Sequence, residues 1–157
     1  MARKSDCVID CASDVCKGDV ILFEEGVFGG SFRKPKHLGD RWILGEIVSD
    51  SYGQAKQQHT FSIRLIRCGG EQAEEVRAVA KRNGGVIKRK GRNVYRNGCK
   101  RAPWPDEGMD NFGKHFYSLG SRQRQAVLDE KHGRGDSARQ ARETRKAEQE
   151  ANQAFWY

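Results

Sequence analysis

Over the first hundred positions the apolar residues fall into short runs of strand length, separated by polar or glycine-containing stretches. Behind the turn Lys17-Gly18-Asp19, the run Val20, Ile21, Leu22, Phe23 predicts a first strand over residues 19–24. In RWILGEIVSD, Trp42, Leu44 and Val48 share one parity and Ile43 and Ile47 the other, so a second strand over 42–49 is apolar on both faces. Gly45 in its middle predicts a bulge or a sharp bend. HTFSIRLIR then alternates, with Phe61, Ile63 and Leu65 on one face and Thr60, Ser62 and Arg64 on the other, the pattern of a half-buried third strand. Val86-Ile87 and Val94-Tyr95, set about a basic turn that contains Gly91, predict a β-hairpin over residues 85–101.

The connecting stretches differ in character. GVFGGSFRKPKHLGDR, residues 26–41, has the composition of a long loop, holding down one aromatic of Phe28 and Phe32. DSYGQAKQQHTF, from Asp50 to Phe61, joins strands two and three, with Ser51 to Gly53 as the turn and Gln57 onward opening strand three. EQAEEVRAVAKRN, residues 71–83, fits a short helix better than a strand. From Ser121 the composition shifts to Arg, Gln, Ala and Glu. Ser121 and Ser137 each suit a helix N-cap and HGRG lies between them, which predicts two helices or one hinged helix. The second has a strip of Ala138, Ala141, Ala147, Ala151 and Ala154 but no Leu-rich face. Its pairs Arg139/Glu143 and Lys146/Glu150 run cation first, the weaker order at this spacing, so it is expected to fray or stand free in solution. The last residues, Phe155-Trp156-Tyr157, read either as an anchor on a partner or as a mobile end.

Together these elements predict a mainly β domain, a small, bent SH3- or Tudor-like barrel over 17–101 with a C-terminal helical extension, α+β overall. A flexible lead-in (1–16) precedes it, and a linker (102–120) joins it to a basic, partly disordered extension (121–157). Composition fits that division: an apolar fraction of 36% and a mean hydropathy of −0.84 are low for 157 residues packed throughout.

Charge changes the picture more than composition does. The net charge is +8, and the excess is concentrated: residues 31–100 carry 16 Lys or Arg against 6 acids, whereas residues 1–30 carry 3 against 6. Clustered positive charge attracts polyanions by counterion release, which places nucleic acid first among partners and an anionic membrane surface second. The chain has no run of 18 apolar residues and its N-terminal MARKSDCVIDCASD lacks a signal-peptide core, so an intracellular protein with no membrane span is expected. Five irregularly spaced cysteines argue against a secreted disulfide framework.

Candidate chemistry is sparse. Cys7, Cys11 and Cys16 are spaced C-x3-C-x4-C with no nearby His, which lacks the paired ligands of a structural zinc site, and free thiols are the expectation. GVFGGS has no following Gly-Lys-Ser/Thr, and His59 near Lys56 has no partner in sequence that would make it a base. No catalytic residue, metal or cofactor is therefore assigned. The nucleic-acid candidates are Lys88, Arg89, Lys90, Arg92, Tyr95, Arg96, Lys100 and Arg101, an acid-free run displayed on the expected hairpin, with Lys56 and His59 from the polar connection beside it. Guanidinium and ammonium groups meet phosphates there, and Tyr95 is placed to stack on a base; a solvated hairpin face is the competing reading.

Two resemblances add to this. KGDVILF, WILGEIV and HTFSIRLI follow the order seen in Tudor and other SH3-like barrels, whose rim aromatics bind methylated Lys or Arg by cation–π contact. Trp42, Tyr52, Phe28 and Phe32 are the aromatics for such a cage, with Trp42 also suited to the core. Separately, SYGQAKQQHTFSI, KGRNVYR and EKHGRGDSAR resemble an uncharacterised plant domain of certain nuclear CCCH-type zinc-finger proteins, over roughly residues 17–146. The resemblance implies a nuclear, nucleic-acid-associated protein without catalytic residues. The finger itself is absent here, so neither its zinc nor its RNA contact carries over. A protein partner held by the C-terminal helix is a further expectation.

Overall fold

The computed structural model describes residues 2–11, 13–52, 59–107 and 120–156. Six strands form one antiparallel sheet: β1 (Ile9–Asp10), β2 (Val20–Gly30), β3 (Pro35–Tyr52), β4 (His59–Gly70), β5 (Val86–Lys90) and β6 (Cys99–Arg101). Their spatial order is β1-β6-β2-β3-β4-β5. Helix α1 (Ala73–Arg82) joins β4 to β5, the short α2 (Gly91–Tyr95) joins β5 to β6, and α3 (Arg122–Trp156) follows. The fold is thus α+β as expected, but the sheet is open rather than a closed barrel: β1 and β5 are its edges.

The sheet nevertheless curls. Register shifts at Leu44/Gly45 and Ile47/Ser49 bend the 18-residue β3 against β4. Gly45 permits the bend because a Cβ there would meet Ile63 Cγ2 at 2.4 Å and the Arg64 carbonyl oxygen at 2.8 Å. The curl brings Arg89 of β5 within 2.9 Å of Glu25 on β2, three strands away in the order. Ile21 and Phe23 of β2, Ile43 and Ile47 of β3, Phe61 and Ile63 of β4 and Ile87 of β5 fill the inside, and Val76 of α1 and Val94 of α2 join the same buried cluster. Each such side chain contributes about 1.5–3 kcal/mol by leaving water. In α1, Ala73, Val76 and Ala80 form the buried stripe, with Glu74 and Glu75 in the first turn and Lys81 and Arg82 in the last, matching the helix dipole.

Three local expectations are corrected. Residues 26–41 are not a loop: β2 and β3 continue as a paired ribbon to Gly30 and Pro35, with a bulge at Val27/Phe28. Residues 85–101 are not a hairpin: Val86–Lys90 pairs with β4, Gly91–Tyr95 is helical, and Cys99–Arg101 returns beside β2. The two apolar pairs of that stretch therefore serve a strand and a helix, not two facing strands. Finally, α3 runs through HGRG without a break. Arg134 donates to Asp50 at 2.7 Å and Lys131 donates to the Val15 carbonyl, pinning the helix on both sides of Gly133.

Polar groups dock α3. Arg124, Leu128 and Lys131 fall at helical spacing and are all buried. Arg124 Nε and Nη2 donate to the fully buried Asp19 carboxylate at 2.9 and 3.0 Å, and Trp104 Nε1 donates to the same group at 2.7 Å. The expected cap at Ser121 is present, its Oγ accepting the Arg124 amide at 3.0 Å, while Asp106 accepts the Gln123 amide at 3.1 Å. Residues of the expected lead-in take part as well: Val15 and Cys16 are fully buried and β1 extends the sheet beyond β6. Past the docked turns, every described side chain from Glu143 to Ala154 is exposed.

Candidate nucleic-acid interface

The register of β5 decides which cations of the basic run face outward. Ser49, Ser62 and Lys88 lie opposite one another across β3, β4 and β5, and Ser51, Thr60 and Lys90 form the next rung. Side chains alternate along a strand, so both rungs point away from the face that buries Asp50 and Phe61. Lys88 and Lys90 are exposed and have no ion-pair partner among the described residues. The two ammonium groups can only donate and the four hydroxyls beside them can each donate to an anion, while the next rung on this face carries Glu46, paired with Arg64 at 3.6 Å.

The residue between the two lysines does something else. Arg89 Nε and Nη2 donate to the Glu25 carboxylate at 2.9 and 3.1 Å, and Arg41 Nε donates to it at 2.6 Å. Burial pushes the Glu25 carboxyl up, but the hydrogen bonds from Arg89 and Arg41 outweigh it and hold the group below its ordinary value of 4.5. Tyr95 likewise faces in: its hydroxyl accepts the Val15 amide at 3.0 Å, and its ring meets Phe61 edge-on with centroids 6.3 Å apart. Arg101 is buried and donates through both terminal nitrogens to Glu107, at 2.7 and 2.9 Å.

The remaining candidates divide by location. Arg92 of α2 and Arg96, just past its end, are exposed. Lys100 lines a different cleft of about 310 Å³, with Lys4, Asp10 and Trp42, in which the Lys4 ammonium sits 4.0 Å from the Trp42 ring centroid. His59 opens β4 opposite Tyr52, but the side chains of both, and Lys56 altogether, lie outside the described residues. The structure therefore separates the sequence candidates into an outer row (Lys88, Lys90), two exposed arginines in and just past α2 (Arg92, Arg96), a residue elsewhere (Lys100) and structural members (Arg89, Tyr95, Arg101). The expected cage aromatics are also spread out: Trp42 sits beside Lys4, Phe28 packs on His37 with centroids 5.4 Å apart, and Phe32 stands fully exposed.

A second basic surface escaped the strand pattern. The β2–β3 ribbon ends in an arm carrying Arg33, Lys34 and Lys36, all exposed, together with Phe28, Phe32 and Leu38. Neither face of the arm is covered, so it shows no buried alternation. Its signal in the sequence is the acid-free stretch from Gly26 to Gly39. The base of the arm faces α2 across a groove of about 230 Å³ lined by Glu25, Gly26, Phe28, Asn93, Arg96 and Asn97.

The cysteines are spread through the fold. Cys16 turns its thiol to Asp19, Cys11 lies against Cys99 with sulfurs 3.2 Å apart, and no metal-holding cluster of His, Cys, Asp or Glu occurs among the described residues.

An open, curled antiparallel sheet with a docked helix and an acid-free outer row defines a small α+β domain whose conspicuous surface is cationic. The chain belongs to the family described as a domain of unknown function, DUF7699, which matches residues 16–104. It is 35% identical over 146 residues to zinc finger CCCH domain-containing protein 62 of Oryza sativa subsp. japonica, a match that spans 90% of this chain and 18% of the rice protein. The similarity to a domain of a plant CCCH-type zinc-finger protein thus agrees with the motifs that pointed to it. No solved structure matches the chain.

Proposed function

We propose that this domain is a non-enzymatic, nuclear nucleic-acid-binding module that grips phosphates with low sequence preference. The observation that carries the reading is the pair of rungs Ser49–Ser62–Lys88 and Ser51–Thr60–Lys90 on the outer face of β3, β4 and β5. Lysines spaced two residues apart on a strand stand about 7 Å from each other and contact a polyanion as point charges. Arg92 of α2 and Arg96, just past its end, add two exposed cations close by in sequence. The rice relative's name, with its zinc-finger designation, supports a nucleic-acid context without specifying DNA or RNA. In this reading the curled sheet is an open variant of an SH3-like barrel, with β6 returning beside β2 after a helical turn.

Titrating labelled DNA and RNA oligonucleotides at low salt tests the proposal. Binding that weakens when Lys88 and Lys90 are both replaced by Gln, with the fold unchanged, is the expected result; absence of binding contradicts it.

One observation favours a second reading, a reader of cationic peptides. The Trp42 cleft already holds an ammonium, that of Lys4, against an aromatic face. Trimethyl-lysine peptides that displace Lys4 and quench Trp42 fluorescence at moderate salt would favour that reading over the first.

A further inference from the structure

The basic outer row explains attraction to phosphate but not the aromatic arm beside it. Three of the large hydrophobic side chains exposed on this surface, Phe28, Phe32 and Leu38, belong to the arm, and Phe28 remains 62% exposed although its ring is held in place. Gly26 is what lets it lie down: a Cβ there would stand 3.0 Å from Phe28 Cε2 and 3.6 Å from His37 Cδ2. The ring rests over the Gly26 backbone with His37 at its side and turns toward a groove whose other wall is Asn93, Arg96 and Asn97 of the α2 region. Glu25, which also lines the groove, is paired with Arg41 and Arg89, and Asp40, opposite Gly26 in the register, bonds His37 at 2.9 Å. Arg33, Lys34 and Lys36 lie further out, exposed and without an acid in sequence from Gly26 to Gly39.

We propose that this groove is a stacking slot for an unpaired base, and that it makes the domain selective for single-stranded over double-stranded nucleic acid. Phe28 is the platform, Asn93 and Arg96 hydrogen-bond the base edge, and the cations of the arm take the flanking phosphates. A stacked duplex offers no free base face to such a slot, whereas a single strand does. A membrane surface would also attract a basic, aromatic arm. It has no use, however, for amide groups lining a groove, and those groups favour the nucleic acid. The inference rests on the proposed phosphate-binding function and adds the ligand's strandedness to it.

The test measures fluorescence anisotropy of the whole chain with four probes: single-stranded RNA, single-stranded DNA, a DNA duplex, and vesicles of phosphatidylcholine with phosphatidylserine. The slot predicts tighter binding to one or both single strands than to the duplex. Phe28→Ala should weaken the single strands about tenfold and the duplex less than about twofold. Phe28→Trp should retain affinity and Phe28→Leu should lose it, since stacking needs a flat ring; an unchanged thermal melt excludes misfolding as the cause. Full affinity in Phe28→Leu and Phe28→Ala, with loss in Lys88→Gln/Lys90→Gln, overturns the slot and leaves the phosphate-binding function standing. No oligonucleotide binding at low salt overturns both, and Phe28-dependent capture by the vesicles alone reassigns the arm to lipid. The two single-strand arms decide between RNA and DNA.

Discussion

Arg101 and Lys100 are neighbours on β6, yet Arg101 is buried against Glu107 while Lys100 stands in solvent; on β5 the same division separates Arg89 from Lys88 and Lys90. The molecule has two populations of cations. One forms an interior network, Arg124 with Asp19 and Asp14, Lys131 and Arg134 with Asp50, and Arg101 with Glu107. It ties α3 and the N-terminal residues to the sheet. The other forms the outer row, whose Lys88 and Lys90 have no ion-pair partner among the described residues, and the arm, whose Arg33, Lys34 and Lys36 are exposed. Net charge does not distinguish them. What does is strand parity and the presence of an acid close in space but remote in sequence, such as Asp19, which lies 105 residues from Arg124. Charge that looks available in a sequence can already be committed to holding the fold.

Substitutions should separate the two populations, and the interior gives the larger effects. Asp19→Ala takes the buried carboxylate from Arg124, which keeps only Asp14, and leaves the Trp104 indole N–H without its acceptor, at a cost of about 3–5 kcal/mol. A calorimetric melt should fall by about 10 °C or more; a loss of less than about 2 °C would show that α3 does not depend on this pair. On the outside, Lys88→Gln/Lys90→Gln should leave the melt within about 1 °C and lower oligonucleotide affinity severalfold at low salt. If it destabilises as Asp19→Ala does, the division between structural and available cations is wrong.

How much of this was legible follows the same line. The apolar runs located β2, β3 and β4, and Gly45 marked the bend, because those features are written in local periodicity; residues 71–83, where α1 lies, were open between helix and strand. The 85–101 hairpin failed because Val94 and Tyr95 are apolar for a helical contact: Val94 enters the core and Tyr95 bonds to Val15. The docking face of α3 was invisible because two of its three buried positions, Arg124 and Lys131, are charged, and a hydrophobic stripe search sees only Leu128. The arm was read as a loop because a two-stranded ribbon exposed on both faces has no alternation to detect. Of the candidate site, Lys88 and Lys90 were legible as charge, whereas their separation from Arg89 needed the register.

Smaller effects come from pH. Burial and the nearby acids Asp6 and Asp19 push the Cys7 thiol up to about 11 and the Cys16 thiol up to about 12, from an ordinary value of 9.0. Folded values above unfolded ones mean stability that is complete below pH 9.0 and lost as pH rises toward 12, readable as a falling urea midpoint. Glu25 and Glu107 are shifted the other way, burial being outweighed by hydrogen bonds from Arg89, Arg41 and Arg101, so their contribution is present above pH 4.5 and lost as pH falls below it. The smallest effect belongs to the far end of α3: deleting residues 143–157, whose described side chains from Glu143 to Ala154 are exposed, should leave the melt unchanged and preserve binding.

The most direct measurement is the salt dependence of single-strand binding, followed from about 50 to 300 mM for the unaltered chain and for Lys88→Gln/Lys90→Gln. The log of affinity should fall linearly with the log of salt concentration, and the double substitution should make the slope shallower by about two, one per lost phosphate contact. Parallel lines, or no binding at the lowest salt, would contradict the assignment of the outer row to nucleic acid.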